Sequence, residues 1–137
     1  MRSVLEEVVR YLVIERLAGR SWALEVAVEY FIRNSSPSRI ASKVGVSKYA
    51  VKRVIDSIRV KSGSHAVAVA LVKALRPYVE SVRPIVVVSD GGRLYCRLCG
   101  CYINADHQYA YQHVVWKHRD LVSRLTSEIV GALLRRR

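Results

Sequence analysis

The chain has 137 residues and a mass of 15.5 kDa, with 51% apolar and 25% charged residues, enough for one core or two small units in contact. Its 23 Lys and Arg against 11 Asp and Glu leave a formal charge of +12 and a pI near 10.1, which excludes acidic, disordered and halophilic classes and favours a polyanionic partner. No apolar run approaches the roughly 20 residues of a membrane span, and the first residues lack the order of a signal peptide, so a cytoplasmic protein without a membrane role is expected.

The first helix is expected from Ser3 to Ala18, where Leu5, Val8, Val9, Leu12, Val13 and Leu17 recur at three- and four-residue steps and Gly19 stops the run. A second, from Trp22 to about Ile32 with Ser21 as its cap, is apolar on most sides, as a central core helix requires. Trp22 and Phe31 therefore read as core. Ser36 and Pro37 open a short third helix that Gly45 ends near Val44, and Ser47 caps a fourth from Lys48 to about Ile58. After a loop at 61–63, His65 to Leu75 reads as a helix closed by Pro77, although Val67, Val69 and Leu71 also fit strand alternation.

From Pro84 the texture changes. Ile85 to Val88 and Arg93 to Cys96 flank Ser89-Asp90-Gly91-Gly92, a hairpin signal. A last helix is expected from about Asp106 to Arg135. The expected division is a helical unit over 1–80 and a second unit over 84–137.

Charge is unevenly spread. Residues 1–33 balance five Arg with five Glu, whereas residues 37–61 set Arg39, Lys43, Lys48, Lys52, Arg53, Arg59 and Lys61 against Asp56 alone, a net +6. The last 21 residues add +4, with six cations against Asp120 and Glu128. A solvated helix face normally alternates in sign; the 37–61 stretch does not.

Within that stretch, Ala41 supplies the small residue two crossing helices need, Gly45 the turn, and Ile40, Val46, Val51 and Val54 a shared apolar anchor. Over residues 37–56 the pattern resembles the helix-turn-helix of bacterial and archaeal DNA-binding proteins. The resemblance implies that the helix opening at Lys48 enters the major groove, presenting Lys48, Tyr49, Lys52 and Arg53. Arg53 or Lys52 would reach guanine, and Ser47 with the helix N-terminus would hold a phosphate. Arg39 and Lys43 would contact the DNA backbone.

Three cysteines within six residues cannot form a disulfide framework. Cys96 and Cys99 are two residues apart, thirteen residues then separate Cys99 from His113, and four more separate His113 from His118. Two thiolates on a turn and two imidazoles on one helix make a closed tetrahedral set for Zn²⁺ of the structural kind. The pattern looks like a Cys2His2 zinc finger over residues 93–118, with a spacer one residue longer than usual and Ile103 at the family's Phe position. The resemblance implies a small ββα unit with a hairpin of 93–96 and 100–103. It also implies base contacts from Asp106, Gln108, Tyr109 and Gln112, weighed against a purely structural or protein-binding use. His107 and Cys101 are spare ligands that read better as a surface histidine and a free thiol, and His65 reads as structural.

No enzyme is expected. The His-x-Glu and Pro-Cys-x-x-Cys signature of zinc deaminases is missing, and Cys96 follows a strand rather than opening a helix as in a thiol oxidoreductase. A metal-dependent nuclease using Asp106 and His107 is the residual enzymatic reading. The expectation is a mainly α protein, a helix-turn-helix domain plus a small C-terminal zinc finger with an extended final helix. It would bind double-stranded DNA sequence-specifically, as a transcription regulator. The alternative is an RNA- or ribosome-associated protein. Stripes at Leu5, Val9, Leu12 and Val13 and at Leu121, Leu125, Ile129 and Leu133 are candidates for pairing two copies in a homodimer. Few Asn and Gln beside abundant Val and Arg point to an archaeal thermophile or its virus.

Overall fold

The computed structural model describes residues 2–103 and 107–135, which are mainly helical with one small antiparallel sheet. The helices are α1 (Val4–Leu17), α2 (Trp22–Ala27, continued by a π-helical segment Val28–Ile32), α3 (Pro37–Val44), α4 (Lys48–Ser62), α5 (His65–Glu80), α6 (His107–Lys117) and α7 (Arg119–Leu134). The strands are β1 (Val86–Val88), β2 (Leu94–Cys96) and β3 (Cys101–Ile103), paired in that order.

Serine caps set the helix starts. The side chains of Ser3, Ser36, Ser47 and Ser64 accept from the backbone N–H three residues on, satisfying donors that a helix leaves open. Ser21 does not; it adopts helical dihedrals and its side chain makes no cap bond. Gly45 and Gly63 end α3 and α4 in the left-handed conformation, and α4 runs to Ser62 because the buried face continues through Ile58.

α1 is the central element, with Val8, Val9, Leu12, Val13, Ile14 and Leu17 at most 1% exposed. α7 lies along it more extensively than any other pair of helices. The stripe Val9-Leu12-Val13 is thus consumed within the chain. Phe31 is buried, while Trp22 is half-buried with the Arg20 guanidinium 5.2 Å from its ring centroid. Buried residues from both sides of residues 80–84 join in one apolar core. Gly19 brings α1 to the sheet: the Ile85 amide donates to the Leu17 carbonyl at 3.0 Å.

Two further expectations are corrected. Pro77 does not close α5 but lies inside it, one turn before its end. The missing N–H frees the Lys73 carbonyl; both residues are on the exposed side, where water can meet it, while Val79 and Val82 anchor the last turn in the core. The final helix is also two helices, broken at His118 (φ −123°, ψ 36°), whose imidazole turns toward the cysteines of the sheet instead of capping α7. Among the described residues no helix is long and apolar enough to cross a membrane.

Candidate metal centre and basic face

The β2–β3 hairpin is short: Leu94 opposes Ile103, Tyr95 opposes Tyr102 and Cys96 opposes Cys101. Its turn, Arg97 to Gly100, places Cys99 back over Cys96, and the Cys99 amide donates to Cys96 Sγ at 3.5 Å. α6 supplies His113 and the joint between α6 and α7 supplies His118. The ligand atoms of Cys96, Cys99, His113 and His118 all lie within 4.8 Å of one another. Cys96 Sγ is 3.3 Å from His118 Nε2, and Cys99 Sγ is 3.4 Å from His113 Nε2 and 3.2 Å from His118 Nε2. Two thiolates and two imidazoles around a tetrahedral ion stand roughly 3.5 Å apart, as its bond lengths of about 2.0 to 2.3 Å require, so the set fits a metal ion. With four protein donors and no open position, such a site holds structure rather than presenting a reactive water.

The chemistry of the donors agrees with the geometry. Partial desolvation, followed by the nearby Cys96 and Cys101 sulfurs, pushes the Cys99 thiol up to about 11, so this crowded group of sulfurs gains from a cation that takes up thiolate charge. Desolvation holds both imidazoles below the ordinary histidine range, with His118 and Lys117 adding to the effect at His113. Neutral imidazole is the coordinating form. Cys101 is exposed on β3 and stays outside the four-atom set.

The second cluster lies on α3 and α4. Ser47, Lys48, Tyr49, Lys52 and Arg53 are all exposed, Tyr49 to 72%. Burial of Val51, Val54, Ile55 and Ile58 on the opposite side turns these residues outward. Arg53 lies with its guanidinium 5.8 Å from the Tyr49 ring centroid. Among the described residues, no carboxylate pairs with Arg39, Lys48 or Lys52. Lys43 differs: its ammonium lies 2.9 Å from Glu29 Oε2. Glu29 is buried and also accepts from Ser35 and Arg33, and these donors, Lys43 foremost, hold its carboxyl below the ordinary range. Counting charge along the chain cannot find this pairing, because Glu29 and Lys43 come from separate helices.

Of the remaining positions singled out in the sequence, Tyr109 is exposed and Gln112 half-buried on α6. Asp106 and the side chains of His107 and Gln108 lie outside the described residues. His65 is exposed beside the Tyr30 and Phe31 rings, with centroids 6.0 and 5.5 Å away. The metal cluster and the α4 face are separate sites. Comparison with known protein families, curated proteins and solved structures gave no match.

Proposed function

We propose that the protein binds double-stranded DNA sequence-specifically and regulates transcription, with α3, the Gly45 turn and α4 acting as a helix-turn-helix and α4 as its groove-reading helix. One observation carries the reading: the N-terminal half of α4 presents Lys48, Tyr49, Lys52 and Arg53 together, outward, behind a capped N-terminus. That face has the width of one helix and the charge a phosphate-lined groove requires. Arg53 and Lys52 read bases, Ser47 and the open N–H groups hold a phosphate, and Arg39 fixes position on the backbone. Lys43 contributes less, because Glu29 already shares its charge. The Cys2His2 group binds Zn²⁺ in a finger-like unit, and the ion's role is to hold α6 and the hairpin together. The function is binding, not catalysis.

Selection of bound sequences from a random duplex pool tests this. A defined motif should emerge, and Arg53→Ala should lose preference at one position of it. Lys48→Ala should instead weaken all duplexes alike and reduce the salt slope by about one. A pool that stays random, or equal binding by the variants, overturns the reading.

One feature favours an RNA partner as the second reading. Tyr102, 52% exposed on the sheet, has the Arg93 guanidinium 4.0 Å from its ring centroid and Tyr95 at 5.2 Å, a surface on which an unpaired base can stack. Structured RNA that outcompetes duplex DNA would select it.

A further inference from the structure

Between α1, α4 and α6 lies a cavity of about 280 Å³ whose inner wall is polar. Glu15 lies deep in it, its side chain 2% exposed, with Arg20 Nε 3.1 Å from Oε2. The two are oppositely charged neighbours but poorly aligned: neither Glu15 carboxylate oxygen accepts a hydrogen bond from the protein, and Arg20 Nε makes none. Buried carboxylates are rarely left so, because the lost hydration is large unless donors replace it. Arg53 and Lys61 face the same space from α4, and the rings of Tyr11 and Tyr111 flank it. Lys61 Nζ sits 5.1 Å from the Tyr11 ring centroid. Three cations face one carboxylate, so the walls carry a net positive charge.

We infer that this cavity is a binding site for a small organic anion bearing a hydroxyl group, the anionic end held by Arg53 and Lys61 and the hydroxyl donating to Glu15. The volume admits roughly ten to fifteen non-hydrogen atoms, at the small end of ligand pockets. The anion's charge offsets the Arg53 and Lys61 cations that Glu15, already beside Arg20, leaves unbalanced, and its hydroxyl supplies the donor that Glu15 lacks. A carboxylate and a phosphate ester satisfy the same chemistry.

The site has a consequence for α4 that rests on the DNA-binding reading above. Arg53 serves both the cavity and the outward face, so an anion that draws its guanidinium inward competes with DNA for it. Occupancy then lowers duplex affinity, by about tenfold if it removes one strong contact.

Calorimetric titration of the full, metal-loaded chain tests the site without DNA. The probes are malate against succinate, and ribose 5-phosphate against inorganic phosphate; each pair differs in hydroxyl content. Saturable binding is expected for at least one hydroxylated member, at least about tenfold tighter than its counterpart, since a hydrogen bond to a charged group is at stake. The better pair tells carboxylate from phosphate. Glu15→Leu should erase the hydroxyl preference, and Lys61→Ala, with an unchanged circular dichroism spectrum as the check on folding, should weaken each anion about tenfold while keeping the preference. Absence of saturable binding by all four probes, equal affinity within both pairs, or unchanged binding in Lys61→Ala overturns the site. A chain that binds no DNA but passes these titrations loses only the regulatory consequence.

Discussion

Glu15 shows what one side chain can do when its neighbours are far away in sequence. Burial raises its carboxyl to about 7, against the opposing pull of Arg20 and Arg53, from an ordinary value of 4.5. Between these two values the folded chain keeps a proton that the unfolded chain has released, so stability falls as pH rises through that window and is level above it. Glu15→Gln cannot titrate. Relative to that variant, the metal-saturated wild-type chain should lose about 3 kcal/mol at most between pH 4.5 and 7.5. Parallel melting curves for the two across that range would assign the titration elsewhere. In the sequence Glu15 is one of five glutamates balanced by five arginines, and nothing local marks it as buried. Its partners at Arg53 and Tyr111 are brought to it only by the tertiary fold. The metal ligands are the opposite case, because the short Cys and His spacings are themselves the geometry.

At the scale of elements, two glycines with the same backbone separate strain from collision. Gly45 has φ +83° with open space where a Cβ would stand, whereas Gly19 has φ +84° and a Cβ there would lie 2.6 Å from the Val86 carbonyl oxygen. Gly45→Ala should therefore cost about 1 kcal/mol, the conformational penalty alone. Gly19→Ala should cost clearly more, since the α1 terminus must also move off the sheet. Urea denaturation of both variants checks the order. The helices α1, α3 and α4 were legible because apolar spacing, serine caps and glycine stops coincide within each segment, and the two hairpins because short apolar runs flank glycine-containing turns. Where they did not coincide, the fold departed from expectation. Pro77 would end an isolated helix, yet the pull of Val79 and Val82 into the core outweighs one missing hydrogen bond. The π-helical turn at Val28–Ile32, where the Arg33 amide reaches the Val28 carbonyl, has no composition signal at all.

At the scale of the whole molecule, a metal ion held by Cys96, Cys99, His113 and His118 would tie the sheet to both C-terminal helices, and α7 in turn covers α1. Removing the ion with a chelator should lower the melting temperature while leaving much of the helical signal of α1 to α5, because those helices are held by their own apolar contacts. Cys99→Ser should behave like the chelated wild type and no longer respond to chelator. A melting temperature indifferent to chelator and to Cys99→Ser would show that the four donors hold no ion that matters to the fold. Gln112, beside the ligand His113, lines the cavity that Glu15 occupies, so the same treatment should loosen that wall.

His118 gives this arrangement a further effect. The residue is at once one of the four clustered donors and the pivot at which one helix turns into the next, so a metal ion held there would fix the angle of a sixteen-residue lever through a single coordinate bond. Release of that bond would free the lever to swing from its seat on α1 and bare the oily spine of the molecule. Starved of metal, the protein should become sticky before it unravels, binding an apolar dye and self-associating at temperatures where its backbone is still coiled.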